Sequence, residues 1–307
     1  MLWRKKKGAA GGLLGMVLGS RSFGLVSMAS SGQVDFCTGV DFSEGNLASL
    51  LKAQVERNQL RGSVNLVLLP SQYQMLLAEA PDVPPEELAD AMRWRIKDLI
   101  STPLDEVEVD AFLLPEDAYR GRVRMCYVAA VRRDLIAQLT ETVKGAGLQL
   151  NYIDLADLAM RNLALQQSSG EKSVAIINLR DRGGLVTVTQ NNQLYMSRSL
   201  QVGFDHIREQ GLGVLDELVL DMQRSLDYYE SQQGKGAVAT VLISGKHEVD
   251  DQLVAALDQR LAAYVMKLDT SQGITLGQGV DPEQLSRVAL SLGGALREWG
   301  EYATAAG

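Results

Sequence analysis

Val174-Ala175-Ile176-Ile177-Asn178-Leu179, then Asp181-Arg182-Gly183-Gly184, then Leu185-Val186-Thr187-Val188, is the stretch that decides the fold. The first six residues form a short apolar run, which reads as a buried strand. Asp181 to Gly184 has the chemistry of a tight turn. Leu185, Val186 and Val188 belong to a second strand, Asn191-Asn192 marks another turn, and 193–199 reads as a third strand. A long helix is predicted over 212–232, striped by Leu215, Leu218, Val219, Met222, Leu226 and Tyr229. Val238 to Ile243 follows as another buried strand.

The same order occurs earlier in the chain. Leu14, Met16 and Leu18, then Phe23 and Leu25, alternate like strands around a short turn. Strands are predicted at 13–19, 23–30 and 34–41, a helix at 46–58, and a buried strand from Val64 to Leu69 that Pro70 ends. Both halves thus read β-β-β-α-β, which points to domain-scale duplication and a cleft between two facing units. Two unrelated layered domains with coincidental hairpins remain the alternative. In duplicated folds of this kind the opening hairpins surround nucleotide phosphates, because turn N–H groups can cradle an anion.

A third segment lies between the halves. Pro84-Pro85 ahead of Glu86-Glu87 is a helix start, and Leu88, Met92, Ile96 and Leu99 give that helix one apolar face before Pro103. Residues 106–114 and 122–131 alternate like a strand pair. A helix at 132–145, a strand at 148–153 and a helix capped by Asp154 follow. The division is 1–71 for the start of the first half, 72–168 for an inserted α/β subdomain and the return to the first half, and 169–307 for the second half. Near the end, Asp281-Pro282 opens a helix striped by Leu285, Val288, Ala289, Leu292, Ala295, Leu296 and Trp299. Gly293-Gly294 within it costs about 1 kcal/mol per glycine, a cost usually retained for close packing.

Composition narrows the function. The 307 residues carry a formal net charge of −8, which argues against nucleic-acid binding. Cys37 and Cys126 form no short-spaced pair, and His206 and His247 are the only histidines. Disulfide frameworks, zinc sites and His-based metal sites are not expected. Neither histidine sits in a recognisable nucleophile motif, and His206 reads as exposed in a polar turn. Arg4, Lys5, Lys6 and Lys7 precede a glycine-rich apolar stretch that is read as a strand in preference to a signal peptide. No long apolar run suggests a transmembrane helix.

Several stretches carry a resemblance: "ELADAMRWRIKDLISTPLDEVEVD" (87–110), "NYIDLADLAMRNLA" (151–164), "LYMSRSLQVG" (194–203), "LDMQRSLDYYES" (220–231), "VLISGK" (241–246) and "ALSLGGALRE" (289–298). In this order the chain resembles PilM, the actin-like cytoplasmic protein of type IV pilus assembly. Within that family it is similar to MshI of the mannose-sensitive haemagglutinin (MSHA) pilus. A weaker likeness is to the cytoplasmic domain of the type II secretion protein GspL.

The resemblance implies an α/β, duplicated actin-like fold (actin, hexokinase, FtsA) with an inserted subdomain in the first half. It implies a cytoplasmic scaffold, peripheral to the inner membrane, that binds the N-terminal cytoplasmic tail of a bitopic PilN-like protein. The pilus assembly ATPase and a second copy of the chain are further partners left open. The tail is expected between the inserted subdomain and the first-half core, with Arg93, Trp94, Arg95 and Lys97 lining its groove. A solvated charged helix face is the other reading of those residues.

The nucleotide signature departs from the family. ATP-binding relatives carry an aspartate and then glycine in the first hairpin, where this chain has Val17 and Gly19, leaving Gly19, Ser20 and Ser22 near a phosphate. The second hairpin has Asn178 and Arg180 in place of acid and glycine. The adenosine-side pair is Gly245-Lys246, and Asp221 stands for the ribose-facing glutamate. Without those acids, Mg²⁺ organisation and ATP hydrolysis are not expected. No cofactor is expected, although ATP binding, and with it an actin-like ATPase that gates partner binding, stays open.

Overall fold

The computed structural model describes residues 13–43, 45–119, 123–167 and 172–297. The basic stretch 4–7 and Trp299 lie outside them.

The chain opens with the strands β1 (Leu13–Leu18), β2 (Ser22–Met28) and β3 (Gln33–Asp41), helix α1 (Leu47–Arg57) and strand β4 (Ser63–Leu68). β1, β2 and β3 form an antiparallel meander, and β4 lies parallel to β1. The second half repeats this plan. Its strands β9 (Val174–Leu179), β10 (Gly184–Gln190) and β11 (Gln193–Leu200) are antiparallel neighbours. Asn191 and Asn192 both take positive φ at the β10–β11 turn, the backbone a tight hairpin requires. Helices α5 (Phe204–Gln210) and α6 (Leu215–Gln233) then lead to β12 (Thr240–Gly245), parallel to β9. After helix α7 (Asp251–Asp258), β13 (Tyr264–Lys267) extends the sheet to five strands, in the order β11-β10-β9-β12-β13. The expected duplication is therefore present.

Alternation along each strand supplies two cores. In β1, Leu14, Met16 and Leu18 pack outward with Leu51 and Val55 of α1, while Val17 faces the interior between the halves. In β9, Ala175, Ile177 and Leu179 face the second-half core, and Val174 and Ile176 face the interior. Each fully buried leucine on these faces contributes about 1.5–3 kcal/mol.

The inserted segment forms its own three-stranded sheet, order β5-β7-β6, from β5 (Gln74–Glu79), β6 (Val107–Leu113) and β7 (Met125–Arg132). The sequence reading found only two of these strands. β5 follows Pro70 so closely, after a single 3₁₀ turn, that it reads as loop. Helix α2 is Leu88–Arg95, shorter than the helix expected from Glu86 through Leu99. Leu88, Met92 and Ile96 are buried as the stripe requires, but Leu99 lies beyond the helix and is 60% exposed. Helix α3 (Arg133–Gly145) and β8 (Gln149–Leu155) return to the first half, where β8 pairs in parallel with β4. Asp154 does not cap helix α4 (Ala156–Gln167). It lies in β8, and its carboxylate is held by Arg297 at 3.0 Å and by the Leu155 N–H.

The last elements correct the sequence reading most. The strand β14 (Thr275–Leu276) pairs with β3, so it joins the first-half sheet as its edge. The C-terminal helix is two helices, α8 (Pro282–Arg287) and α9 (Ala289–Ala295), broken at Val288. Asp281 caps α8 by accepting from the Glu283 N–H. α9 lies on β1, β2 and β4 and against α4, not on the second-half sheet. Glycine permits the close approach. A Cβ on Gly293 would sit 2.3 Å from the Ala159 carbonyl oxygen, and one on Gly15 would sit 1.7 Å from the Ser291 carbonyl oxygen. The glycines thus serve close helix–helix and helix–strand contact, as expected.

Candidate functional site

Of the concave regions in this architecture, two lie where its units meet and bear on the expected sites. The first is the cleft between the halves, a cavity of about 340 Å³ lined by the ends of β1–β3, β9 and β12 and by α8 and α9. Of the residues named from the sequence, Ser22, Asn178, Arg180 and Lys246 line it, beside Val17. Gly19, Ser20, Asp221 and Gly245 are not in its wall. Gly19 closes the β1–β2 turn by donating to the Ser22 carbonyl, and Ser20 sits at the exposed tip. Asp221 lies in α6 next to buried Met222 and is itself half-buried. Gly245 is covered by Phe204, whose ring atoms lie 2.6 Å from where a Cβ would be.

Asn178 is buried, and its amide donates to Ser244 Oγ at 2.9 Å, tying β9 to β12. Burial pulls the Arg180 guanidinium below the usual arginine range, against the opposing charge of Asp181. Lys246 Nζ lies 2.9 Å from Asp181 and 3.3 Å from Asp41, and His247 Nε2 lies 2.6 Å from Asp181. Burial pushes the Asp181 carboxyl up, but hydrogen bonds from Lys246 and His247 together outweigh it and hold the group below the usual carboxylate range. His206 also differs from expectation. It stands in the first turn of α5, where Nδ1 accepts from the Gly203 N–H.

The second region is a groove of about 600 Å³ between the inserted sheet, the first-half core and the β10–β11 turn. Its apolar wall is Phe112 and Leu114 from the insert with Leu158 and Leu165 from α4. Asp110, Glu116, Arg161 and Arg297 stand among its polar residues. Arg297 also covers the Tyr152 ring, 4.4 Å from its centroid, so it is fixed by both stacking and Asp154.

Arg93, Trp94, Arg95 and Lys97 do not line this groove; Arg93, Trp94 and Lys97 line a separate open depression of about 600 Å³ with Ile100, Pro103 and Leu104. The alternation of β7 decides the matter. Cys126, Val128 and Ala130 face α2, whereas Tyr127, Ala129 and Val131 face the body of the molecule. α2 therefore covers the outer side of the inserted sheet and the groove lies on the inner side. Trp94 is 72% exposed on that outer surface. Arg93 donates to the Leu104 carbonyl at 2.6 Å and Arg95 to that of Glu79 at 3.3 Å.

Beside the groove, Asp157 at the start of α4 is fully buried and accepts hydrogen bonds from Tyr73 and Ser197, one from each flanking unit. Burial raises its carboxyl above the ordinary value, with the two hydrogen bonds opposing, and burial also raises Tyr73. Neither Asp157 nor Arg297 had a sequence signal, since each is defined by partners far along the chain.

Residues 75–211 match the family model described as type IV pilus assembly protein PilM, less than half of the chain. No curated protein matches the sequence. Among solved structures the chain is similar to the PilM–PilN type IV pilus biogenesis complex, with a TM-score of 0.76, 18% identity, and 93% of this chain and 98% of that chain covered. It is also similar to the cytoplasmic domain of EpsL, an inner-membrane component of the type II secretion system of Vibrio cholerae. There the TM-score is 0.54 and the identity 13%, over 93% of this chain and 94% of that one. A third likeness is to a Bacteroides thetaiotaomicron protein with an actin-like ATPase fold, with a TM-score of 0.50, 12% identity, and 91% and 95% covered. At these identities the likeness is one of fold, and the fold is the actin-like one. Among the described residues no helix is long and apolar enough to cross a membrane.

Proposed function

We propose that this chain is a non-catalytic cytoplasmic scaffold of type IV pilus biogenesis, of the MSHA type and MshI-like. In this reading it holds the N-terminal cytoplasmic tail of a bitopic, PilN-like inner-membrane protein in the groove between the inserted sheet and α4. The observation that carries the reading is the position of that groove. Phe112, Leu114, Leu158 and Leu165 all fall within the 75–211 segment that matches the PilM model. The most similar of the structures described above is a PilM solved with PilN.

The chemistry suits a short extended peptide. Apolar side chains of the tail would enter the pocket walled by Phe112 and Leu158, and fixed polar groups at the rim would meet its backbone. Arg297 is pre-positioned by Asp154 and Tyr152, so little side-chain entropy is lost on binding.

Calorimetric titration of the protein with a synthetic peptide of the cognate tail tests this. Leu158→Arg places a charge in the apolar wall, and the affinity is expected to fall at least about tenfold, while Leu165→Arg repeats the test from the next turns of α4. Unchanged affinity in both folded variants would remove the groove from the proposal.

A further inference from the structure

The interlobe cleft has the position of a nucleotide site, but its residues do not fit a magnesium nucleotide. Position 17 is a valine, and the Asn178 amide is committed to Ser244. Neither hairpin strand therefore offers a carboxylate at these positions to organise a hydrated metal ion. Among the described residues no group of three or more His, Cys, Asp or Glu side chains could hold a metal. On the β12 side the bare surface of Gly245 is taken by the Phe204 ring, and His247 meets that ring edge-on with centroids 5.2 Å apart.

The cleft holds an ion network of the chain's own. Lys246 follows β12 in the second half and its side chain is only 16% exposed. Its ammonium reaches Asp181 on its own side at 2.9 Å and Asp41, the last residue of β3 in the first half, at 3.3 Å. His247 holds the other oxygen of Asp181 at 2.6 Å. One largely buried cation thus meets a carboxylate from each wall. Such a cation is costly to leave without its partners.

We infer that Lys246 is an internal latch: by pairing with Asp41 and Asp181 it ties the two halves together across the cleft. This ion pair adds to the apolar contacts that already join the halves, and closure then requires no nucleotide. The latch is a modest one, because Asp41 is 76% exposed and salt screens such a pair.

Hydrogen exchange on the full chain tests it, with Asp41→Asn as the first variant because an exposed side chain can be neutralised without unfolding the protein. Amides at 245–248, on the opposite wall from the substitution, are expected to exchange about two- to fivefold faster. Lys246→Met should have the reciprocal effect at 39–42, and the double variant should add little to either single one. Raising sodium chloride from 50 mM to 1 M should reproduce the effect in the unmodified protein and not in Asp41→Asn. Unchanged exchange across the cleft in Asp41→Asn would overturn the latch. So would slowing of both segments in the unmodified protein by millimolar Mg-ATP, since closure would then belong to the nucleotide.

Discussion

At Gly15 a single methyl group has no room, since it would overlap the Ser291 carbonyl oxygen at 1.7 Å and the Ala295 nitrogen at 2.6 Å. Gly15→Ala is expected to cost about 3 kcal/mol or more, or to prevent soluble folding, and urea denaturation reads the loss. Asp157 gives a second test at this scale. Its carboxyl is raised in the folded state, so the folded protein binds more protons than the unfolded one between the ordinary aspartate value and the raised one. That contribution therefore weakens as pH rises through this window. Asp157→Asn, which keeps one acceptor for Tyr73 and Ser197, should gain on the unmodified protein as pH rises above about 4. Parallel stability curves for the two proteins would contradict this. Some residues were legible in the sequence: Gly293-Gly294 announced close packing, and Val17 and Asn178 announced altered hairpins. Lys246 was legible only as a cleft residue. Its partners Asp41 and Asp181 lie 205 and 65 positions away, and nothing local marks them. Phe204 over Gly245 was invisible for the same reason.

At the scale of elements, hydrophobic period carried most of the reading. Strands with clean alternation or short buried runs, such as β1 and β9, fell where expected. β5 did not, because its residues are only half-buried and its start is masked by Pro70 and the 3₁₀ turn. α2 was found, but it lies on the side of the inserted sheet away from the groove between insert and core. Period shows which face of a helix is apolar, but not which side of a sheet it covers. This has a measurable consequence. Met92→Ala removes a fully buried side chain between α2 and the inserted sheet and should cost about 2–5 kcal/mol. Trp94→Ala, two residues on but exposed, should change stability by less than about 0.5 kcal/mol and leave tail affinity unchanged. A large loss of affinity from Trp94→Ala would return the tail to the outer face of α2.

For the whole molecule, duplication and the inserted unit were legible because each half repeats one element order. The return of the C-terminal segment was not. β14 and α9 complete the first-half sheet after the chain has built the second half, and such a crossing has no local signature. It means that α4 and α9, packed through Gly293, join both halves, with the groove at one side of this junction and the cleft at the other. Groove docking is the central claim, and a hydrogen-exchange footprint of the cognate tail peptide on the full chain tests it most directly. Docking in the groove requires slowed exchange in 110–116 and in the stretch around Leu158 and Leu165, with 90–100 unchanged. Protection confined to 90–100, with the groove walls unaffected, would contradict it.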